Sequence, residues 1–190
     1  MEMLAEKKKA ILESTLELVK ENGFHGTPMS LVAKKAGVAA GTIYHYFEGK
    51  DELICELYSY VKRQTVEALQ NGDDEALSYK ERFFALWMSL YNFYIQNPNV
   101  LRFFEQFVNS PYNSKKPDDR YDELHKIIFN FFRDGIEKGH LRAANPEILG
   151  VLAHGSSITT AKVYEHGKIK LGEEELKQIV QILWDGMSVR

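Results

Sequence analysis

Residues 23–53, GFHGTPMSLVAKKAGVAAGTIYHYFEGKDEL, decide the fold. Met29, Val32, Ala33 and Ala36 fall at i, i+3, i+4 and i+7, the one-sided pattern of a short helix. Thr27 before Pro28 reads as an N-cap followed by proline in the first turn. Ala36-Gly37-Val38 ends that helix, and another runs from about Ala40 to Phe47. Two short helices joined by so tight a turn have the geometry that lays the second one in the major groove of DNA. Gly37 supplies the backbone freedom of the turn, where a Cβ would tend to clash. With Val38, Ile43 and Phe47 turned inward, Ala40, Gly41, Thr42, Tyr44, His45 and Tyr46 face out. That face offers donors, acceptors and small apolar contacts to phosphates and base edges. The competing reading makes Tyr44, Tyr46 and Phe47 simple core of a small helical domain; the joint agreement of spacing and turn residues favours DNA.

Working outward, Leu4, Ile11, Leu12, Leu16, Leu18 and Val19 recur near helical spacing and stop at Asn22-Gly23, a C-cap signal. Gly49 separates the short third helix from a long fourth, from Lys50 to about Gln70. About five more helices follow, bounded by Asn71-Gly72, Asn97-Pro98 and the breaks at 110–117, 139–146 and 167–172. No stretch alternates with period two. The expected fold is all-α, about nine helices, with a three-helix unit over 1–49 and a larger helical bundle over 50–190.

The chain of 190 residues is 44% hydrophobic and 27% charged, the composition of a globular protein. No apolar run approaches the roughly 20 residues of a membrane span, and the start (MEMLAEKKK) has no signal-peptide core, so a cytoplasmic protein is expected. One cysteine, Cys55, fits that compartment. The net charge is −3. Residues 1–63 hold nine basic and nine acidic side chains, leaving 15 basic against 18 acidic in the rest. Any DNA binding must therefore come from a local surface rather than from bulk charge. Lys7, Lys8 and Lys9 read equally as a solvated helix end or as an arm on phosphates.

The 23–53 stretch resembles the DNA-binding domain of the TetR family. The resemblance spans about residues 7–58: a glycine-aromatic lead-in, threonine, the A-G-V turn, G-T-hydrophobic-Y, Y-F, and K-D/E-x-L. It implies that Thr27 holds a phosphate at the start of the second helix and that Lys50 pairs with another. Thr42 and Tyr46 would contact backbone, Tyr44 and His45 backbone or bases, and Ala40 and Gly41 would approach base edges. Pro28 and Ala39 depart from the family pattern, and Ala39 removes a side-chain cap from the third helix. The resemblance further implies a homodimeric repressor that binds palindromic operator DNA and is released by a small effector, for which the aromatic-rich C-terminal part predicts a hydrophobic molecule. The fourth helix would transmit the release, since it begins at the DNA-facing unit and enters the aromatic-rich one.

For the effector, residues 83–107 are dense in aromatics. Trp87, Tyr91, Tyr94, Phe103, Phe107 and His125 are the candidate pocket residues, with ordinary core packing as the competing reading. For the dimer, the last two helices mix apolar residues with small ones. Leu152, Ile158, Leu176, Ile179 and Leu183 are the candidate interface, matching the four-helix pairing that the resemblance implies. A rival reading as a DNA-binding protein without effector leaves the long C-terminal part unused. An enzyme is not expected: the six histidines form no H-x-x-x-H pair, and there is no nucleophile elbow, phosphate loop or carboxylate pair. No metal or cofactor is expected, and Cys55 reads better as a small apolar filler than as a redox sensor.

Overall fold

The computed structural model describes residues 2–116, 123–167, 169 and 171–189, with side chains from Ala5 onward. Pro117 and residues 168 and 170, at two of the expected breaks, lie outside the described residues. Among the described residues there are nine α-helices: α1 (Glu2–Asn22), α2 (Met29–Lys35), α3 (Ala40–Tyr46), α4 (Lys50–Gly72), α5 (Tyr79–Gln96), α6 (Pro98–Val108), α7 (Glu123–Glu137), α8 (Pro146–Glu165) and α9 (Glu173–Met187). A 3-10 turn covers Pro111–Ser114.

The chain forms two compact units. One joins Met1–Lys62 to Asn99–Asp118, the other Arg63–Pro98 to Asp119–Arg190. Compactness thus follows a different cut from the expected functional division after Gly49, because the first half of α4 and all but the first residue of α6 pack with α1 and the loop after it.

In the first unit, Gly23 closes α1 with φ +66° while its N–H donates to the Val19 carbonyl, as the Asn22-Gly23 signal predicts. Ile11 and Val19 of α1, Val32 of α2, Ile43 of α3 and Ile54 and Leu57 of α4 are fully buried together. Phe103 and Phe107 of α6 join this core. Phe107 stacks on Tyr58 at 4.4 Å between centroids, and Phe24 meets Phe103 and Tyr112 edge-on at 5.9 and 5.1 Å. Gln106 donates to the Val19 carbonyl at 3.1 Å, which ties α6 to the end of α1.

In the second unit, α5 opens with a reciprocal cap: the Glu81 carboxylate accepts from the Ser78 N–H, and Ser78 Oγ accepts from the Glu81 N–H. Asn145 caps α8, with Pro146 in its first turn. Helix α8 packs on both α5 and α7. Gly150 permits the second contact, since a Cβ there would fall 2.6 Å from the Phe129 ring. Trp87 of α5 donates to Ser156 of α8 at 2.8 Å. The buried Tyr94 hydroxyl shares hydrogen bonds with His154 Nε2, at 2.7 Å, and with Thr65 of α4. Burial raises this phenol far above its ordinary range, so it stays protonated.

Candidate nucleic-acid interface and ligand cavity

Helix α3 is short because its own sequence makes it so. It starts after Ala39, which sits in extended geometry and offers no side-chain cap, and it ends where Phe47 turns extended and buries its ring. Gly37 sits at φ +67°, so the turn between α2 and α3 demands glycine. The reason differs from the expected one: an added Cβ would meet no atom within 4 Å, and the left-handed backbone itself is what excludes other residues.

Ile43 and Phe47 pin α3 to the core, and Val38 is half-buried. The opposite face is open: Ala40, Gly41 and His45 are exposed, Tyr44 is 57% exposed, and Thr42 and Tyr46 are half-buried. Gly41 meets no atom within 4 Å of an added Cβ, so the protein's own packing does not require a glycine there.

Two expected contacts look different in three dimensions. Thr27 is 1% exposed, and its hydroxyl donates to the Gly23 carbonyl at 2.8 Å. The residue preceding α2 is Pro28, not Thr27, so Thr27 neither caps the helix nor points its proton outward. Its role is to close the loop after α1, where an unpaired buried hydroxyl would be costly. Lys50 is half-buried and its ammonium donates to the Phe24 carbonyl, while desolvation lowers its pKa. An ammonium has three N–H donors, so two remain for a phosphate. Lys7, Lys8 and Lys9 all lie on α1. Lys8 pairs with Glu56 at 2.6 Å, which favours the helix-end reading for that residue.

The second unit holds a cavity of about 370 Å³, lined by the end of α4, the turn after it, and α5, α7 and α8. Of the six expected pocket residues, Trp87 lines it. Tyr91 stacks on Trp87 and Tyr94 lies buried behind His154, which does reach the cavity. His125 packs against Phe129. Phe103 and Phe107 belong to the core of the first unit and are not among the residues that line it. Phe83 of the aromatic-dense stretch also lines the cavity, with Phe131, Leu90 and Arg82. Only the packing of α5, α7 and α8 brings them together, and no local sequence signal marks Leu90 and Arg82.

Helices α8 and α9 carry an apolar surface. Ile148, Val151, Leu152 and Ile182 are exposed, Val151 at 63% and Ile182 at 71%. Of the five expected interface residues, Leu152 lies on it and Ile158, Ile179 and Leu183 are half-buried. Leu176 is buried within its own unit. Gly155 and Gly186 have open space where a Cβ would stand, so a second backbone could approach closely there.

An all-helical chain with an exposed third helix behind a glycine turn, joined to a helical unit with a cavity, defines a helix-turn-helix transcriptional regulator. Residues 11–57 match the family described as bacterial regulatory proteins, tetR family, and residues 78–188 match the tetracyclin repressor-like C-terminal domain. The chain belongs to the TetR family. An HTH-type transcriptional regulator of Haemophilus influenzae is 27% identical over 92% of this chain and 91% of its own. A TetR family transcription regulator from Shewanella sp. PV-4 superposes with a TM-score of 0.84 at 29% identity, covering 97% of this chain and 99% of that one. The Bacillus subtilis FadR structure in complex with stearoyl-CoA has a TM-score of 0.76 at 21% identity, covering 94% and 98%, and shares the fold. These relatives are DNA-binding regulators rather than enzymes, and among the described residues no helix is long and apolar enough to cross a membrane.

Proposed function

We propose that this regulator is a cytoplasmic homodimeric repressor that binds a palindromic operator through α3 and is released when a small hydrophobic effector fills the cavity. Residues 1–49 act as the DNA-binding domain and 50–190 as the effector and dimerisation domain. The observation that carries the reading is the one-sided burial of α3. Ile43 and Phe47 lock one face into the core, while Thr42, Tyr44, His45 and Tyr46 are left on the other. Gly41 supports it further: a helical glycine costs about 0.5–1 kcal/mol relative to alanine, and here no internal contact repays that cost.

Dimerisation is supported by the apolar surface of α8 and α9, and a palindrome requires two heads about 34–36 Å apart. The cavity supports an effector over a purely constitutive DNA binder; its volume falls in the range of about 300–1,000 Å³ that small-molecule sites occupy. Helix α4 contributes to both units and Leu69 near its end lines the cavity, so a ligand there has a direct element to displace.

Selection of bound duplexes from a random-sequence library tests the proposal. Enrichment of palindromes with half-sites about 10 bp apart is expected. It should be lost in Tyr44→Ala and also in Ile182→Glu, which light scattering should find folded but monomeric. Absence of enrichment by the wild-type protein rejects operator binding, and a fully dimeric Ile182→Glu moves the interface elsewhere.

A further inference from the structure

The cavity of the second unit has an apolar body and a charged mouth, and the charges at the mouth do not balance. Phe83, Trp87, Leu90 and Phe131 line the body. At the mouth stand three carboxylates, Asp73, Glu75 and Asp134, against two cations, Arg82 and Lys138. Both cations are already engaged. Arg82 makes a two-pronged contact with Asp73, at 2.8 and 2.7 Å, and Lys138 reaches Asp134 at 2.9 Å. The Arg82 guanidinium also lies 5.7 Å over the Phe131 ring. Its pKa is raised, first by the Asp73 hydrogen bond and then by the fields of Asp73, Glu75 and Asp134, so all three carboxylates act on this one cation. Glu75 makes no direct ion pair among the described residues, and it is exposed in the turn between α4 and α5.

These charges discriminate between ligands. An anionic head group could reach Arg82 only by displacing Asp73 from its fork, which would leave Asp73 beside Glu75 without a partner. A cationic head group breaks no existing pair, gains Glu75, and lies among aromatic faces that attract cations. A neutral ligand gains only the apolar body.

We infer that the cavity takes a hydrophobic monocation, an amine or quaternary ammonium on an apolar body, with its charge at Glu75 and its body along Trp87 and Phe131. This rests on the reading of the cavity as the effector site. It differs in charge from the stearoyl-CoA of the FadR complex, whose phosphates are anionic.

Calorimetry on the full chain with three probes sharing a ten-carbon tail separates the possibilities: decyltrimethylammonium, decan-1-ol and decanoate, each below its micellar concentration. The ammonium should bind about tenfold more tightly than decanoate, with the alcohol between them, and its advantage should shrink as salt is added. Glu75→Gln, a change in an exposed turn, should weaken the ammonium about fivefold and leave the alcohol unchanged. Glu75→Lys should invert the order of ammonium and decanoate. If decanoate binds most tightly to the wild-type protein, or Glu75→Gln leaves the ammonium unaffected, the charge assignment is wrong while the cavity remains a ligand site. If none of the three binds, the effector reading falls as well.

Discussion

The aromatic run of residues 83–107 is continuous in the chain but serves two opposite purposes in the fold. Phe103 and Phe107 enter the first unit, where they are 0% exposed and meet the rings of Phe24 and Tyr58. Phe83 and Trp87 enter the second unit, where with Phe131 they border a cavity. The residue types are the same, and the difference lies in what faces them. In the first unit other rings fill the space beside α6. In the second, α7 and α8 are held against each other at Gly150 and leave room beside α5. Aromatic density by itself therefore predicts burial, and the arrangement of neighbouring helices decides whether it becomes a core or a wall.

The sharpest way to break this comparison is to truncate one ring from each cluster. Phe107→Ala should cost about 3–5 kcal/mol in chemical denaturation, because a fully buried ring leaves a cavity that its neighbours cannot refill. A loss below about 1 kcal/mol would mean that the first cluster is not tightly packed.

Tyr94→Phe should cost about 1–3 kcal/mol, since it removes a buried hydroxyl that hydrogen-bonds both His154 and Thr65. It probes the rigid side of the second unit, and a neutral result would indicate that water replaces the hydroxyl there.

Phe131→Ala should cost less, about 1–2 kcal/mol, because the ring is half-buried and already borders open space. Its larger effect should be on the affinity of the ten-carbon probes, with duplex binding in their absence unchanged. Equal stability losses for Phe107→Ala and Phe131→Ala would erase the distinction between core and wall.

The smallest effect on stability is expected at the surface of the head. Tyr44→Ala should stay within about 0.5 kcal/mol of wild type, yet it should weaken binding to the selected duplex. A destabilisation comparable to that of Phe107→Ala would make Tyr44 a core residue, contrary to its exposure.

The helix-turn-helix was legible because its signals are local. Asn22-Gly23, Gly37, the i, i+3, i+4 pattern of α2 and the alternation of Ile43 and Phe47 with polar neighbours all act within one or two turns. Thr27 was misjudged for a related reason. A threonine before proline can cap the following helix or close the preceding turn, and only the position of the Gly23 carbonyl decides between them. Leu176 is buried within its own unit, and helical spacing shows that a face is apolar and not what covers it. One apolar stripe of α9 turns toward α5, and Ile182 lies outside it.

By itself, then, the sequence determined the helices, most of their ends, and the outward face of α3, since each follows from backbone preferences and periodicity over a few residues. Tertiary structure alone decided that α6 joins the first unit and that Trp87 borders a cavity while Phe107 does not. It also decided that Arg82 is held by Asp73 at the cavity mouth, with Glu75 left over. These facts depend on which distant segments arrive beside one another. Packing is a property of pairs of surfaces, and a single stretch of chain carries only one of them.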